Sequence, residues 1–474
     1  MPGLPDLTRR LATSTVAWSW VFNFLRLASG LLLLPLLLHL LSEAELGMYY
    51  GFLNLYAITT VLDFGIGPTL GRFVNYAMGG ATSLAAQGLA DADHRGTPNY
   101  SLVWELIATA RAVYRILSAA TLICLAIFGS LLIGHKVAET SNPTLTWIAW
   151  SLCALSAACD LYFSFWNTFL RNLNQVLAAQ RIMVFAYALR LLLACGILLA
   201  GGGLLSVPIA TLATSALIMV LSRRACLRLL PADQRPASVS WRTHFPTLWP
   251  NTWRLGLYFA GAYLGTQANG LICLSVLGTS ANASYGLTFQ VVTIIGGLAT
   301  VWTQVKWPFI GQLVARRDSP AIRQMLWPRL WLVLGSYVVL AAGAILLGPQ
   351  LLIWVGKSKT LLPTLWFVLM AGNGLLEQHC SNWNTLIALG NRLPMLWPSL
   401  ITNGVSLGIN LALVHLAGAM PGWLALGPLL AGLAFNYWYW PQFGARTLGL
   451  SWLEFMRYGF RRPVTPARTC APGG

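Results

Sequence analysis

The sequence is short of charge, and above all of negative charge. Of its 474 residues only 9% are charged, and 13 Asp and Glu stand against 30 Lys and Arg, for a net charge of +17. A soluble domain carries roughly 25% charged residues. Together with a mean hydropathy of +0.65, this composition excludes an ordinary water-soluble domain. Apolar stretches of about 20 residues recur along the whole chain, which is typical of a polytopic helical membrane protein.

Cysteine and histidine are also sparse. The eight Cys and six His form no CxxC motif and no Cys/His cluster, so the sequence predicts no metal site, no disulfide framework and no cofactor. No small-residue cleavage site follows a short apolar core near the N-terminus. The first span is therefore expected to be a retained helix rather than a cleaved signal.

Twelve apolar spans can be counted in the sequence, and they divide into two sets of six. The polar segment 77–111 is predicted to be a loop with a short surface helix, and the ninth span is predicted to begin near Leu330. The division predicts an N-terminal six-helix bundle at 1–221, a basic linker at 222–251, a C-terminal six-helix bundle at 252–440 and a basic tail at 441–474.

The basic residues predict the orientation of these spans. With the N-terminus inside, most Lys and Arg fall on the cytoplasmic side, and only Lys136, Lys357 and Lys359 fall on the other. This bias predicts that both termini are cytoplasmic. It also accounts for the positive charge through membrane topology, so we expect no nucleic-acid partner.

A short stretch occurs twice in the chain, once in each half. The first copy reads DLYFSFWNTFLRN from Asp160, and the second reads EQHCSNWNTLIAL from Glu377. In both, a carboxylate precedes Trp-Asn-Thr within an apolar run. Because seven residues make nearly two helical turns, Asp160 should share a helix face with Asn167, and Glu377 with Asn384. An acid within a membrane helix should face protein or water rather than lipid.

A second repeat supports the same division. Tyr-Gly opens the second span of each half, at Tyr50 and Tyr285, and a cation lies near the end of each of these spans, Arg72 and Lys306. Two sets of six spans with the same orientation are typical of transporters built from parallel repeats. The sequence therefore predicts an all-α polytopic membrane protein of about 12 transmembrane helices, in two pseudo-symmetric six-helix bundles around a central cavity.

Several segments resemble a known family. Residues 62–73 read LDFGIGPTLGRF, which is similar to the second-helix signature of polysaccharide flippases, and the basic stretch 169–190 resembles the turn after their fourth helix. The Tyr-Gly at 285–286 and the Pro-Phe at 308–309 resemble their seventh-to-eighth helix hairpin. The family is the bacterial O-antigen and exopolysaccharide branch of the multidrug/oligosaccharidyl-lipid/polysaccharide exporter superfamily.

This resemblance implies a function. It implies a flippase that moves an undecaprenyl-diphosphate-linked oligosaccharide from the cytoplasmic to the periplasmic leaflet of the bacterial inner membrane by alternating access, with ion or potential coupling. The partners that it implies are the lipid-linked oligosaccharide, membrane lipids and polysaccharide assembly proteins.

Four cations are candidates for binding the diphosphate of such a substrate. Arg26 lies mid-span in the first helix and could bind a phosphate bidentately. Arg190 lies mid-span in the fifth, and Lys306 and Arg72 lie near the cytoplasmic ends of the eighth and second. The alternatives are snorkelling to an interface, pairing with Asp63 or Glu377, or ordinary positive-inside anchoring.

The intramembrane acids are candidates for coupling transport to H⁺ or Na⁺. These are Asp160 and Glu377, with Asp63 as a third, and Asn167 and Asn384 are their partners on the same helix faces. The alternative is that the acids only hold the bundle together. Asp63 lies beside Gly65, a pattern that also suits a helix end.

Two further functions compete with the flippase. A multidrug/cation antiporter of the same superfamily would need an acidic, aromatic cavity, whereas this sequence places cations within its spans. A membrane glycosyltransferase, polymerase or ligase would need a substantial external loop, and the outer loops here are short. The chain is therefore expected not to be an enzyme.

Overall fold

The computed structural model describes residues 15–84, 97–236, 241–355, 360–390, 394–418 and 420–460. These parts of the chain consist of helices joined by short turns and contain no β-strand. Lys357, Lys359 and the end of the predicted basic tail, residues 461–474, lie outside the described residues.

The described helices form twelve rods, numbered α1 to α12 in chain order. Several rods are interrupted or include a short segment of 3₁₀-helix or π-helix. Their bounds are Thr15–Leu40 (α1), Glu43–Tyr56 with Ile58–Leu62 and Ile66–Met78 (α2), Tyr100–Gly134 (α3), Pro143–Asn172 (α4), Val176–Leu199 (α5), Gly203–Leu229 (α6), Phe245–Thr266 with Ala268–Leu277 (α7), Thr279–Gln304 (α8), Ser319–Val355 (α9), Thr364–Leu389 (α10), Leu396–Leu416 (α11), and Pro421–Ala425 with Leu426–Ala431, Gly432–Asn436 and Tyr437–Thr447 (α12).

The rods form two six-helix bundles, α1–α6 and α7–α12, as the sequence predicts. Within the described ranges, seven helices are long and apolar enough to cross a membrane by length and composition alone: α3, α4, α5, α6, α8, α9 and α11. Among the remaining rods, α2, α7 and α12 are interrupted.

The predicted loop at 77–111 is wrong over its second half, because α3 already begins at Tyr100. The Asn99 side chain caps this helix, accepting a hydrogen bond from the Leu102 amide at 3.1 Å. Asp91, Asp93, His94 and Arg95, the charged residues behind the loop prediction, lie outside the described residues. Within the helix, Glu105 contacts His244 at 2.6 Å, and the Arg111 guanidinium lies over the Trp166 ring at 5.2 Å. At 35 residues, α3 is about 50 Å long and extends beyond an apolar layer about 30 Å thick.

The C-terminal bundle differs from the sequence prediction in the same way. The ninth helix begins at Ser319 rather than near Leu330, and a short helix, Trp307–Ala315, precedes it. The predicted tail from 441 is structured as far as 460: α12 runs to Thr447, and the helix Trp452–Arg457 folds back onto the bundle. Its apolar side chains explain this, because Phe455 is fully buried against the Trp383 ring.

We call the end of the molecule at which α1 begins and α12 ends the terminal end, and we call the opposite end the far end. At the far end the two bundles touch through α2 and α8, where two glycines allow the backbones to approach. A side chain at Gly47 would meet the backbone of Thr279, and one at Gly286 would meet the Tyr50 ring. The Tyr-Gly pairs that mark the repeat in the sequence thus lie at the contact between the bundles.

Along a second seam, α2 packs against α7 where α2 is broken. Phe64 and Gly65 have positive φ angles of 50° and 68°, so the helix stops and restarts at this point. A side chain at Gly65 would meet Leu255, and one at Gly256 would meet Phe64. The break is therefore fixed by contacts with the other bundle.

A buried amide network holds three helices of the C-terminal bundle together. Asn410 on α11 is fully buried and donates to the Asn269 side chain on α7 at 2.8 Å and to the Leu424 carbonyl at 3.1 Å. It also accepts from the Gly427 amide on α12 at 2.9 Å. Buried polar groups that lose their partners are costly, so this network fixes the register of these helices.

Replacing Asn410 by leucine should destabilise the protein, because it leaves the Gly427 amide, the Leu424 carbonyl and Asn269 without this partner. The expected cost is about 1–3 kcal/mol, seen as a drop of the thermal unfolding midpoint in detergent. Leu416→Ala on the same helix, where the side chain is 88% exposed, is the control and should leave the midpoint nearly unchanged. Equal midpoints for Asn410→Leu and the wild type would contradict a structural role for the network.

Candidate functional site

Each bundle contains a polar cavity, and each cavity includes one copy of the repeated acidic motif. The cavity of the N-terminal bundle has a volume of about 840 Å³ and is lined by Asp63, Asp160 and Arg72. The cavity of the C-terminal bundle has a volume of about 290 Å³ and is lined by Glu377 and Asn384. The remaining lining residues of both are mainly hydroxyl, amide and aromatic side chains.

Asp63 lies at the break in α2 and has both a structural contact and access to the N-terminal cavity. Its carboxylate accepts a hydrogen bond from the Tyr114 hydroxyl at 2.7 Å and from the Gly67 amide at 3.4 Å. The second contact caps the helix segment that restarts at Ile66, as a carboxylate does at a helix N-terminus. Asp63 therefore combines the helix-end role with a position in the cavity wall.

Asp160 lies on α4 and is held by hydroxyl groups from two other helices. The Tyr56 hydroxyl of α2 donates to it at 2.8 Å, and the Ser215 hydroxyl of α6 donates at 2.6 Å. Seven residues further along α4, the Asn167 amide meets the Ser222 hydroxyl, also on α6, at 3.4 Å. Asp160 and Asn167, which the sequence predicts to share a helix face, thus both contact α6. Their partners on α6, Ser215 and Ser222, are also seven residues apart.

Arg72 supplies positive charge to the same cavity. Its guanidinium carbon lies 5.7 Å from the Phe73 ring centroid, and its buried Nε has no hydrogen-bond partner among the described residues. A buried donor without a partner is uncommon and costs free energy. An anionic or hydroxyl-bearing ligand in the cavity could provide the missing acceptor.

Glu377 is the carboxylate of the C-terminal cavity, and it is less constrained than the two acids of the other bundle. It lies 3.4 Å from the Tyr437 hydroxyl of α12, and that hydroxyl donates more strongly to Asn373 at 2.7 Å. The residue is exposed to the cavity, and it forms no ion pair with a described residue. On the same helix, the Asn384 amide contacts the Cys380 sulfur at 3.5 Å. An accessible carboxylate among amides and aromatic rings suits a small cation.

Arg26 and Lys306 lie outside the lining of these two cavities. Arg26 on α1 is exposed, and its guanidinium carbon lies 5.9 Å from the Phe22 ring centroid. Lys306 follows the end of α8, and its ammonium lies 4.9 Å from the Phe309 ring centroid. Neither forms an ion pair with a described residue, so the charges of both remain available.

Arg190 on α5 is half-buried and also lies outside the two cavity linings. Its charge acts on Tyr49 and on Tyr56, the tyrosine that donates to Asp160. Arg190 thus lies near a tyrosine that contacts Asp160, but it forms no salt bridge with Asp160.

The structure therefore brings together some of the residues singled out in the sequence and separates others. Asp63, Asp160 and Arg72 share one cavity, whereas Glu377 and Asn384 share another. Pairing of these acids with arginines, the alternative considered from the sequence, is not found among the described residues, because hydroxyl donors take that place. Within the described ranges, no group of three or more His, Cys, Asp or Glu could hold a metal ion.

Sequence analysis missed the hydroxyl partners of the acids. Tyr56, Tyr114, Ser215 and Tyr437 come from helices that are distant in sequence, and each resembles many other polar residues in an apolar span. The spacing of Ser215 and Ser222 repeats that of Asp160 and Asn167, which is the one sequence signal that could have identified α6 as the partner helix.

The fold was compared with those of known proteins. No family model and no curated protein sequence matches the chain. Among solved structures, an inward-facing MATE family multidrug resistance transporter of the MOP superfamily is similar with a TM-score of 0.68 and 13% identity, covering 91% of this chain and 96% of that one. A MATE multidrug transporter solved in complex with a ligand has a TM-score of 0.59 and 14% identity, covering 91% and 94%.

The outward-facing conformation of a MATE transporter of the MOP superfamily is less similar. It has a TM-score of 0.53 and 14% identity, covering 93% of this chain and 96% of the other. The chain therefore has the fold of MATE transporters of the MOP superfamily, with twelve helices in two bundles.

Proposed function

We propose that the protein is a flippase for a lipid-linked oligosaccharide that carries a diphosphate, and that it works by alternating access in the bacterial inner membrane. In this proposal the terminal end faces the cytoplasm, as the distribution of basic residues favours. The substrate is bound from the inner leaflet and released on the other side. The resemblance of the sequence to polysaccharide flippases supports the same substrate class.

The observation that carries the proposal is the exposure of large apolar side chains on α1 and α8 toward the terminal end. The two helices approach at Gly30, whose side-chain position lies 3.7 Å from the Gln290 amide nitrogen. Closer to the terminal end, both expose large apolar side chains, with Phe24 71% and Trp302 48% exposed. We infer that α1 and α8 part here to form a lateral opening, so that a lipid tail stays in the bilayer while its headgroup enters the protein.

Cations border this opening and suit a diphosphate. Arg26 lies on α1 one turn from Gly30, and Lys306 lies just beyond the end of α8. A guanidinium can form two parallel hydrogen bonds to a phosphate, and desolvated charge-assisted bonds are among the stronger contacts that proteins make. The polar N-terminal cavity, with Arg72 in its wall, has room for the sugar that follows the diphosphate.

In this proposal the three acids have a role other than binding the diphosphate. Asp63 and Asp160 already accept hydrogen bonds from buried hydroxyls, which reduces their attraction for an organic cation. Glu377 is accessible in a cavity of about 290 Å³, a volume at the lower end of the range for drug-sized ligands. We infer that Glu377 takes up the coupling ion, H⁺ or Na⁺, and that Asn384 is part of the same site.

A multidrug/cation antiporter is the second candidate, and specific observations favour it. The solved structures that share the fold include multidrug transporters, one of them with a ligand bound. The C-terminal cavity combines the Glu377 carboxylate with the aromatic rings of Tyr258 and Phe289, as an organic-cation site would. Transport of a cationic dye separates the two candidates.

Replacing Arg26 by alanine should slow flipping of a fluorescent polyprenyl-diphosphate disaccharide in proteoliposomes. Because a hydrogen bond to a charged group contributes about 1.5–3 kcal/mol, the rate should fall at least about tenfold. Arg316→Ala, at an exposed loop position of the terminal end, is the matched control and should flip at the wild-type rate.

One result would contradict the role of Arg26, and another would contradict the flippase itself. Wild-type flipping by Arg26→Ala would remove this arginine from the substrate path. Uptake of a cationic dye together with no flipping of the lipid-linked probe would favour the antiporter instead.

Replacing Glu377 by glutamine should remove the ion dependence of transport. The amide keeps the shape of the side chain but cannot neutralise Na⁺ or exchange a proton, so flipping should no longer respond to an imposed Na⁺ or pH gradient. Asp318→Asn, an exposed carboxylate in the turn before α9, is the control. A variant that responds like the wild type would leave Glu377 with a structural role only.

A further inference from the structure

Two carboxylates of the N-terminal bundle reach across the far end to the first turn of α8. Glu139, in the turn between α3 and α4, accepts hydrogen bonds from the Thr279 amide at 2.9 Å and from the Thr279 hydroxyl at 2.7 Å. Glu43, in the first turn of α2, accepts from the Ser280 hydroxyl. Both acceptors belong to one bundle and all donors to the other.

The first turn of α8 depends on these contacts. The residue before the helix is Gly278, which has no side chain and makes no side-chain cap. The first amides of a helix need an acceptor and carry partial positive charge. Glu139 supplies that acceptor from the opposite bundle, so α8 is capped only while the two bundles are together at this end.

The surrounding contacts form the rest of the same interface. The Asn282 amide, which is fully buried, donates to the Gly47 carbonyl at 2.7 Å. Further into the molecule, the Tyr50 hydroxyl donates to Gln290 at 2.7 Å. These neutral contacts align α2 with α8, whereas the carboxylates add the charge-assisted contacts at the rim.

We propose that Glu139 and Glu43 form an acid-sensitive latch: as carboxylates, Glu139 caps α8 and Glu43 binds the Ser280 hydroxyl, so that the far end is held closed, and their protonation releases it to open. Opening the far end separates Glu139 from Thr279 and Glu43 from Ser280. A protonated carboxyl is a weaker acceptor and carries no charge to offset the helix dipole, so protonation weakens the closed state more than the open one.

The charges around Glu139 set the direction of this response. Lys136 contacts it at 3.0 Å from the same turn, and Glu43 and Glu45 lie on the facing first turn of α2. Partial burial alone would raise the pKa of the Glu139 carboxyl, but the hydrogen bonds from Thr279 and the Lys136 charge outweigh it, and the net pKa lies below its usual range.

The pH window follows from this lowered pKa. A carboxyl whose pKa is lower in the closed state stabilises that state at pH values above its ordinary pKa. The stabilisation is lost as the pH falls through the lowered value. Acid on the far side should therefore favour opening of the far end.

Hydrogen–deuterium exchange of the whole purified protein tests the latch without any substrate. In Glu139→Gln, and also in Glu43→Gln, amides of the first turn of α8 within 273–290 should exchange on the order of three- to tenfold faster than in the wild type. Peptides from the terminal-end part of α3, 100–111, should not change. Because no transport is measured, the result is independent of which substrate the protein carries.

Glu45→Gln is the matched control. Glu45 lies at the same end but pairs within its own bundle, in a capping box with Ser42 that glutamine can also form. It should leave exchange of 273–290 at the wild-type rate. After correction for the intrinsic rate, the wild type should exchange faster at pH about 3.5, below the ordinary carboxyl pKa, than at pH about 6, and Glu139→Gln should show a smaller difference.

Unchanged exchange in both Glu139→Gln and Glu43→Gln would overturn the latch. So would a rise in exchange that is equal at 273–290 and 100–111, because that would indicate general loss of stability rather than opening of one end. If a variant with both Glu139→Gln and Glu43→Gln kept the full pH dependence, other groups would be responsible for the response to acid.

Discussion

The constraint on which this structure depends is the cost of placing a charge or an unpaired polar group inside an apolar layer. The chain contains few such groups, and the structure gives most of them a hydroxyl, amide or aromatic neighbour. Asp63 and Asp160 are each held by a buried hydroxyl from another helix, and Arg26 and Lys306 lie against aromatic rings. These side chains are therefore accommodated without ion pairs to one another.

The same constraint explains why the two bundles are joined so differently at their two ends. At the far end, small residues and direct hydrogen bonds bring α2 and α8 together, with Asn282 fully buried between them. Toward the terminal end, α1 and α8 expose large apolar side chains that lipid can cover. The contact at the far end is thus held by specific polar groups, whereas the apolar side chains toward the terminal end contribute no comparable hydrogen bonds between α1 and α8.

The two copies of the acidic motif have diverged in what surrounds them. Asp160 is fixed by Tyr56 and Ser215 in a cavity that also contains Arg72, whereas Glu377 remains exposed beside Tyr437 in a smaller cavity. Two arginines, Arg72 and Arg171, and two restrained acids favour a ligand with both anionic and hydroxyl groups, and one accessible carboxylate favours a small cation. The proposed division, with substrate in one bundle and the coupling ion in the other, is based on this difference.

The sequence by itself determined the class of fold: length and apolar periodicity require membrane helices, and the repeats around Asp160 and Glu377 and at the Tyr-Gly pairs predict two like bundles. It also identified the acids, because an ionisable residue in an apolar span is rare enough to be noticed. Only the tertiary structure decided what these acids contact, where α3 and α9 begin, and that the two acidic motifs line separate cavities. The physical reason is that periodicity reports the solvent along one helix, whereas partners such as Tyr56 for Asp160, or Thr279 for Glu139, are chosen by packing between helices far apart in the chain.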